Sequence, residues 1–292
     1  MNKDQVQLRV EGLTKYYGKT LGVKKLSLTV NKGEIFGFIG PNGAGKSTTI
    51  RCIMNLINKT EGKVYVGGEL FTKDKTEIFR RIGYLPSEIQ LYDDLTVKEM
   101  IDYSASFYSA IDMDYVSSLV ERLELDISKR LEDLSLGNRK KLGIVLSLMH
   151  DPELIIMDEA TSGLDPLMQE AFYTILQEER DKGKTIFFSS HNLSEVRRLC
   201  HRIGIIKEGQ LITIDTVDNL TRSNILIVTL DCDNKKVAEN LGAKIISENG
   251  SLIKFIYDGS TDMLISVLQG LKVSRLLIEE PSLEEIFMHY YQ

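Results

Sequence analysis

The segment Gly40–Ser47, with the sequence GPNGAGKS, decides the fold because it matches the pattern G-x-x-x-x-G-K-[ST]. The apolar run Ile35–Ile39 precedes it and predicts a buried strand. The run STTIRCIMNLI follows and predicts a helix. A strand, a glycine-rich turn and a helix in this order are the context that a phosphate-binding loop requires, so we reject the alternative of a simple turn with a surface lysine.

The residue types of this loop suit a nucleoside triphosphate with Mg²⁺. Glycines allow backbone N–H groups to turn inward around phosphate oxygens, and Lys46 can reach the β and γ phosphates. The hydroxyl of Ser47 is a ligand for Mg²⁺. We therefore predict a nucleoside triphosphate and Mg²⁺ as cofactors. The predicted nucleotide-binding residues of this segment are Gly40, Pro41, Asn42, Gly43, Ala44, Gly45, Lys46, Ser47 and Thr48.

Two carboxylates follow a second apolar strand candidate, LIIM at residues 154–157. Because ligands of open α/β sheets bind at the carboxyl ends of strands, Asp158 is predicted to hold Mg²⁺, directly or through water. Glu159 is predicted to polarise the attacking water as a general base. Alone, two acidic residues after a strand are as often surface features, and the phosphate loop favours the catalytic interpretation.

His191 follows the next predicted strand, in TIFFSSHN, which brings it to the same sheet edge. An imidazole there can donate a hydrogen bond to a γ-phosphate oxygen. We therefore predict Glu159 and His191 as catalytic residues. His150, His201 and His289 lack this context and are interpreted as structural.

The order of predicted elements indicates an α/β fold with a helical insert. Short strands and turns are predicted for residues 6–39, and helical periodicity extends over residues 95–150. The strand candidates at 154–157 and 185–190 flank a helical run, which is a βαβ unit and implies a parallel sheet. A further strand is predicted at 202–207. Residues 1–220 are thus predicted to form a P-loop NTPase domain with a helical subdomain.

The tail has a pattern of its own. Residues 224–280 read as strand, helix, strand, strand, helix, strand, and PSLEEIFMHYYQ at 281–292 reads as a last helix. That order is typical of a small ferredoxin-like α+β domain, predicted here at 224–292 and joined through a linker near 213–223. No residues in the tail have catalytic spacing, so dimerisation or regulation is the expected role.

Composition limits the classes of partner. The chain has 36 Lys and Arg against 42 Asp and Glu, a formal charge of -6, which argues against binding to nucleic acid. Three cysteines without metal-ligand spacing favour a reducing compartment. The charged N-terminus is unlike a secretory signal, and no apolar run reaches about 18 residues. We expect a compact cytosolic protein, for which a partner would have to supply any membrane contact.

Together these motifs resemble the nucleotide-binding subunit of ATP-binding-cassette (ABC) transporters, over about residues 6–215. The resemblance rests on Tyr17, GPNGAGKST, the signature-like LSLGN at Leu134–Asn138, LIIMDEATSGLD and His191. It implies that Tyr17 stacks on adenine. It also implies that Ser135 and Gly137 bind the ATP of the opposite subunit, and that Ser162–Asp165 connects the two sites, with Asp165 among the nucleotide-site residues.

The signature-like segment also has a physical rationale. Ser135 suits an N-cap, Gly137 permits close approach, and the helix expected from about Asn138 points its positive end at an anion. The chain has one phosphate loop and one such segment, and the resemblance implies that these act across a head-to-tail dimer. The expected partners are a second copy or a sister ATPase subunit, together with an integral membrane permease.

Some positions depart from the family pattern. The residues that differ from the usual LSGGQ signature and from the proline common after the catalytic glutamate are Leu136, Asn138 and Ala160. Ser87 stands where a glutamine is expected, and its hydroxyl is too short for the same reach. Either Glu88 or water fills in, or the loop serves mainly for coupling. The resemblance implies that Tyr84–Tyr92 receives the membrane subunit.

The leading hypothesis is the ATP-hydrolysing motor subunit of a bacterial ABC exporter for drugs, antimicrobial or amphipathic peptides, or lipids. One alternative is a soluble ABC ATPase that acts on ribosomes or DNA, although such proteins tend to carry second cassettes, coiled coils or zinc modules. Another is a slow or degenerate subunit of a heterodimer. Ser87 leaves that open, whereas Ser135, Glu159 and His191 argue against it.

Overall fold

The computed structural model describes residues 5–221, 225–232, 237–269 and 271–279. The chain divides into two compact units, residues 1–214 and 215–292. The described strands are β1 (Val6–Tyr17), β2 (Thr20–Asn31), β3 (Ile35–Ile39), β4 (Glu61–Val66), β5 (Glu69–Leu70), β6 (Ile82–Leu85), β7 (Leu154–Asp158), β8 (Thr185–Ser190), β9 (Arg202–Lys207), β10 (Gln210–Thr216), β11 (Ile225–Cys232), β12 (Lys244–Asn249), β13 (Leu252–Asp258) and β14 (Val273–Glu279). The described helices are α1 (Lys46–Ile53), α2 (Thr76–Arg80), α3 (Val97–Ala105), α4 (Met113–Arg122), α5 (Leu136–Leu148), α6 (Pro166–Asp181), α7 (Leu193–Leu199), α8 (Val217–Thr221), α9 (Val237–Asn240) and α10 (Thr261–Leu268).

The N-terminal strands β1 and β2 are longer than the sequence predicts. Each spans 12 residues, so the prediction of short strands separated by turns is wrong here. The antiparallel pairing of β1 with β2 shifts register between Val10 and Leu13, and again between Leu13 and Lys15. Such bulges interrupt the alternation of apolar and polar residues, so one continuous strand has the pattern of several.

The central sheet brings the ends of its strands to one edge. Its order is β10-β9-β3-β8-β7-β6, and β9, β3, β8, β7 and β6 pair in parallel. β3, β7 and β8 are buried along their whole length, as expected for strands covered on both faces. Because parallel strands end at the same edge, Gly40, Asp158 and His191 all lie at the carboxyl edge of this sheet.

Aromatic packing stabilises this part of the sheet. The ring of Phe187 lies 5.7 Å from that of Phe36 and 5.3 Å from that of Phe38, between ring centroids. Ile50 and Ile53 on α1 belong to the same core. Burying a side chain of this size contributes about 1.5–3 kcal/mol. One core therefore holds both the strand that enters the phosphate loop and the helix that leaves it.

The helices α3, α4 and α5 lie within the segment of helical periodicity. α3 begins with a capping box, in which Thr96 and Glu99 each bind the backbone N–H of the other. No helix among the described residues combines the length and the apolar character needed to cross a membrane. The hydroxyl of Tyr115 on α4 donates to Glu179 on α6 at 2.8 Å, which joins the helical segment to the βαβ unit.

The C-terminal unit contains an antiparallel sheet of order β12-β13-β11-β14. With α9 between β11 and β12, and α10 between β13 and β14, this is the ferredoxin-like pattern that the sequence predicts. Val228, Phe255 and Leu264 belong to a hydrophobic core of this unit. The predicted linker, residues 213–223, contains the end of β10 and α8. The predicted last helix, residues 281–292, lies outside the described residues.

Candidate nucleotide-binding and active site

The phosphate loop connects the end of β3 to the start of α1. Gly45 has a φ of 106°, a left-handed value that L side chains rarely adopt. A Cβ on Gly45 would lie 2.8 Å from the carbonyl oxygen of Gly22, so glycine is required here. Among the described residues, no side chain caps the first turn of α1. Its N–H groups and the positive end of the helix dipole therefore remain available to phosphate oxygens.

A cleft of about 870 Å³ opens beside this loop. Its lining residues are Tyr17, Leu21, Gly22, Asn42, Gly43, Gly45, Lys46, Ser47, Thr48, Ser87, Glu88, Glu159, Ser162, Glu208, Gly209 and Gln210. The side chain of Tyr17 is 48% exposed, and the Lys15 ammonium lies 4.8 Å from the centre of its ring. An exposed aromatic ring in a cleft suits stacking with a planar base.

Lys46 is firmly anchored in the loop. It is 4% exposed and donates to the carbonyl oxygens of Gly40 at 2.7 Å and Pro41 at 3.2 Å. Its Nζ also lies 3.3 Å from Oε1 of Glu159. The same carboxylate oxygen lies 3.5 Å from Nδ1 of His191. Glu159 therefore stands between the lysine and the histidine, and the fold brings these predicted residues together.

The backbone of Glu159 is strained. Its φ of 49° is left-handed, which is unfavourable for a residue with a side chain. Its N–H donates to the carbonyl oxygen of Ser189 at 3.2 Å, which ties the residue after β7 to the end of β8. Strain of this kind persists where the surrounding structure enforces it, and it is common at active sites.

Asp158 ends β7 with a fully buried carboxylate. Ser189 Oγ donates to its Oδ1 at 2.6 Å, while Oδ2 has no hydrogen-bond partner among the described residues. Burying a carboxylate oxygen without a partner is costly, and Mg²⁺ or a water bound to it would satisfy that oxygen. No cluster of three or more His, Cys, Asp or Glu in the described ranges could hold a metal. Asp158 with the Ser47 hydroxyl fits Mg²⁺, which usually takes few protein ligands beside phosphates and water.

Ser87 and Glu88 both line the cleft, so either side chain is placed to act there. Their loop is anchored by Lys140, a residue of α5 that is 1% exposed. The Lys140 ammonium donates to the carbonyl oxygens of Ser87 at 2.8 Å and Pro86 at 3.3 Å. Burial lowers the pKa of Lys140, and two nearby carboxylates oppose that shift. The loop is thus tied to α5, the helix that begins within the signature-like segment.

The signature-like residues lie outside the cleft of their own chain. Ser135 caps α5, its hydroxyl accepting a backbone N–H at 3.3 Å, and the helix begins slightly earlier than predicted. A Cβ on Gly137 would lie 2.5 Å from the carbonyl oxygen of Gly163, so this glycine permits a close approach of the first turn of α5 to the loop between β7 and α6. Asp165 caps α6. Ser135, Gly137 and Asp165 thus stay predictions for a site that a second subunit would complete.

Residues that position the site give little signal in the sequence. Ser189 lies within a strand, and no local pattern indicates that its hydroxyl reaches Asp158. Lys140 stands beside Lys141 in a basic run, and helical periodicity does not tell which lysine is anchored. Another wall of the cleft comes from the turn at residues 208–209 and the first residue of β10, where Gly209 is the one feature of the sequence that indicates a turn.

Comparisons with known proteins identify the family. A family model described as ABC transporter matches residues 23–162. The bacitracin transport ATP-binding protein BcrA of Bacillus licheniformis is 34% identical over 293 residues, which cover 96% of each chain. This chain belongs to the ABC transporter family. The predicted ABC ATPase fold and ATP hydrolysis are confirmed by this membership.

Further relatives agree with the ABC assignment. The linearmycin resistance ATP-binding protein LnrL of Bacillus subtilis is 33% identical, with 97% of each chain covered. A solved ATP-binding subunit of an ABC transporter shares 30% identity and a TM-score of 0.69, covering 74% of this chain and 92% of that one. The fold of this ABC ATPase is therefore shared with subunits of transporters.

Proposed function

We propose that this ABC ATPase is the motor subunit of a bacterial exporter, in which ATP hydrolysis drives a separate membrane-spanning permease. The supporting observation is similarity over nearly the whole length. Relatives named for bacitracin transport and linearmycin resistance align with 96% and 97% of this chain, and not with the cassette alone. Drugs and amphipathic peptides are the proposed cargo, with lipids as a further class. Its place is the cytoplasmic face of the membrane, bound to the permease.

In the proposed reaction, Lys46 binds the β and γ phosphates, which draws its ammonium away from Glu159. Water attacks the γ phosphorus, its proton passes to the Glu159 carboxylate, and the bond to the β-phosphate oxygen breaks. ADP and inorganic phosphate are the products. His191 donates a hydrogen bond to the γ phosphate and, at 3.5 Å, also lies near Glu159. Positioning and charge stabilisation supply most of the catalysis.

Ser47 and Asp158 are the proposed ligands of Mg²⁺. The proposal is supported by the buried Oδ2 of Asp158, which has no hydrogen-bond partner among the described residues, and by the Ser47 hydroxyl in the cleft. When bound, Mg²⁺ neutralises negative charge on the phosphate oxygens. Ser189 holds the other carboxylate oxygen at 2.6 Å, which fixes the orientation of Asp158 toward that role.

A head-to-tail dimer is the proposed working state. Ser135 and Gly137 lie outside the cleft that their own chain forms, and the N-terminal end of α5 carries positive partial charge. In the proposed dimer they bind the γ phosphate of ATP held by the other subunit. Asp165, at the start of α6, lies in the loop that connects the two sites. The second subunit is another copy of this chain or a sister ATPase.

Tyr84–Tyr92 is the proposed docking segment for a cytoplasmic helix of the permease. Exposed aromatic rings extend this surface, because Tyr92 is 61%, Tyr103 43% and Phe107 58% exposed. Their rings form an edge-to-face series with centroid distances of 5.7 and 5.1 Å. Aromatic side chains are enriched at protein interfaces. The neighbouring Ser87 and Glu88 line the cleft, so the same loop serves both docking and the nucleotide site.

The C-terminal unit is proposed to act in dimerisation or regulation. Its described residues form their own sheet and hydrophobic core, and the lining residues given for the cleft all belong to the N-terminal unit. Deletion of residues 224–292 is expected to alter dimerisation or the regulation of ATP turnover. Unaltered ATPase activity and an unaltered dimer would contradict this role.

One second candidate rests on Ser87, which replaces the expected glutamine in the cleft. A slow subunit of a heterodimer would hydrolyse ATP poorly by itself and depend on a sister chain. Measured turnover of the purified chain distinguishes the two readings, because a motor subunit sustains repeated turnover whereas a slow subunit does not.

The proposed function is tested by trapping the complex in native cells. Glu159→Gln is expressed, ATP is added, and proteins that copurify from detergent-solubilised membranes are identified by mass spectrometry. The double variant Lys46→Ala/Glu159→Gln, which is expected to bind ATP weakly, is the matched control. A multi-span membrane protein recovered in stoichiometric amount supports the proposal. Recovery only in the soluble fraction, with ribosomal proteins or nucleic acid, contradicts it.

A further inference from the structure

Glu195 on α7 is a buried carboxylate outside the predicted nucleotide site. It is 5% exposed and forms no ion pair within the described residues. Its Oε1 accepts a hydrogen bond from Thr161 Oγ1 at 2.7 Å, and its Oε2 accepts one from Ser190 Oγ at 2.7 Å. Thr161 and Ser190 are themselves buried. This carboxylate therefore joins two hydroxyls of distant segments.

The two segments are those that carry the catalytic side chains. Thr161 lies just after Glu159, in the loop that leaves β7, and Ser190 directly precedes His191 at the end of β8. The amide of Asn192 also approaches Glu195, at 3.4 Å. A single carboxylate thus holds the chain on both sides of the 3.5 Å contact between Glu159 and His191.

The buried charge of Glu195 makes its two hydrogen bonds necessary. A buried carboxylate without a cationic partner is tolerated only where hydrogen bonds replace those of water. Both hydroxyls must therefore stay directed at Glu195. Burial, with the charge of Glu195 as the next cause, raises the pKa of Tyr173, so this neighbouring phenol also stays protonated. Movement of either loop away from Glu195 would leave charge unsatisfied in the interior.

We propose that Glu195 is a positioning residue, which fixes the loop of Glu159 relative to His191 through Thr161 and Ser190. Glu195 is not among the residues that line the cleft, and the proposal rests on the proposed catalytic roles of Glu159 and His191. Because a misplacement of about 1 Å can cost a large factor in rate, loss of this contact affects turnover more than ATP binding.

Steady-state ATPase assays of the full chain test the proposal. Glu195→Gln keeps the shape and removes the charge, and Thr161→Val removes one hydroxyl with little change in shape. We expect kcat to fall about tenfold in both variants, with KM for ATP changed by less than about twofold. Thr161→Ser, which retains the hydroxyl, should have nearly wild-type kcat. Glu195→Leu removes both acceptor oxygens, so the double variant Thr161→Val/Glu195→Leu should fall no further than Glu195→Leu alone.

The control is Glu170→Gln on α6. Glu170 is the exposed ion-pair partner of Arg198, which lies on α7 together with Glu195, so this change also removes a carboxylate that contacts α7 but should leave kcat unchanged. Wild-type kcat in Glu195→Gln, equal losses in Thr161→Ser and Thr161→Val, or fully additive losses would each overturn the proposal. If Glu195→Gln does not fold, the two Thr161 variants carry the test. Glu159→Gln is assayed in parallel. If Glu159→Gln retains half the wild-type rate, the proposed function itself fails. If Glu159→Gln is inactive while Glu195→Gln has the wild-type rate, only the positioning role of Glu195 is overturned.

Discussion

Replacement of Lys140 by methionine tests the link between α5 and the loop at Ser87. Lys140 is 1% exposed, and its ammonium donates to the carbonyl oxygens of Ser87 at 2.8 Å and Pro86 at 3.3 Å. Methionine has a similar length and no donor. The two carbonyl groups would lose their partner, and the loop that lines the cleft would lose its connection to α5.

The expected magnitude follows from these two contacts. Hydrogen bonds that involve a charged group contribute about 1.5–3 kcal/mol each, and the cost of burying the ammonium offsets part of that gain. Burial lowers the pKa of Lys140, which agrees with a cost of burying its ammonium, because burial disfavours the charged form. A net loss of about 2 kcal/mol corresponds to a decrease in Tm of about 4–8 °C for a unit of this size.

Thermal unfolding followed by far-UV circular dichroism measures this decrease in Tm. The chain contains no tryptophan, and this method does not depend on tryptophan fluorescence. Lys141→Met is the matched control, because it removes the same charge from the adjacent buried position of α5, and Lys141 forms no hydrogen bond or ion pair among the described residues. We expect Lys140→Met to lower Tm well beyond Lys141→Met, and to reduce ATP turnover. Equal Tm values for the two variants would refute the anchoring role.

Further predictions concern nucleotide binding and pH. Lys46→Ala should weaken ATP binding by about 100-fold in titration calorimetry, because a charge-assisted contact to two phosphates is lost, and unchanged affinity would contradict its role. Burial lowers the pKa of His150 from 6.5, so the unfolded chain binds this proton more readily than the folded one. Its contribution to stability is complete above pH 6.5 and is lost as the pH falls toward the folded pKa, so urea unfolding of His150→Gln should depend less on pH in this window than that of the wild type. An identical pH dependence in both proteins would argue against this account.

The parts of the site that local sequence encodes could be predicted. Gly40–Ser47 requires glycines at fixed positions because the backbone itself binds phosphate, so the chemistry is visible in the spacing. Asp158, Glu159 and His191 follow buried strands, and parallel strands necessarily bring such residues to one edge. The ferredoxin-like order of the tail follows from alternating periodicities of short elements.

The parts that depend on distant contacts could not be predicted. Lys140 and Lys141 are adjacent and chemically identical, and only the tertiary structure selects Lys140 to bind the loop at Ser87. Glu195 reads as an ordinary polar residue of an amphipathic helix until Thr161 and Ser190 converge on it. The length of β1 and β2 could not be predicted, because bulges interrupt the two-residue alternation of apolar and polar side chains on which strand prediction depends.

A single-turnover assay of Glu159→Gln, beside a measurement of its ATP affinity, tests directly whether Glu159 is the general base of ATP hydrolysis. We expect hydrolysis to slow by about 100-fold or more, as for the loss of a general base, while ATP binding is retained. Glu121→Gln, at an exposed position of α4, is the control and should hydrolyse ATP at the wild-type rate. Hydrolysis by Glu159→Gln at half the wild-type rate would contradict the account.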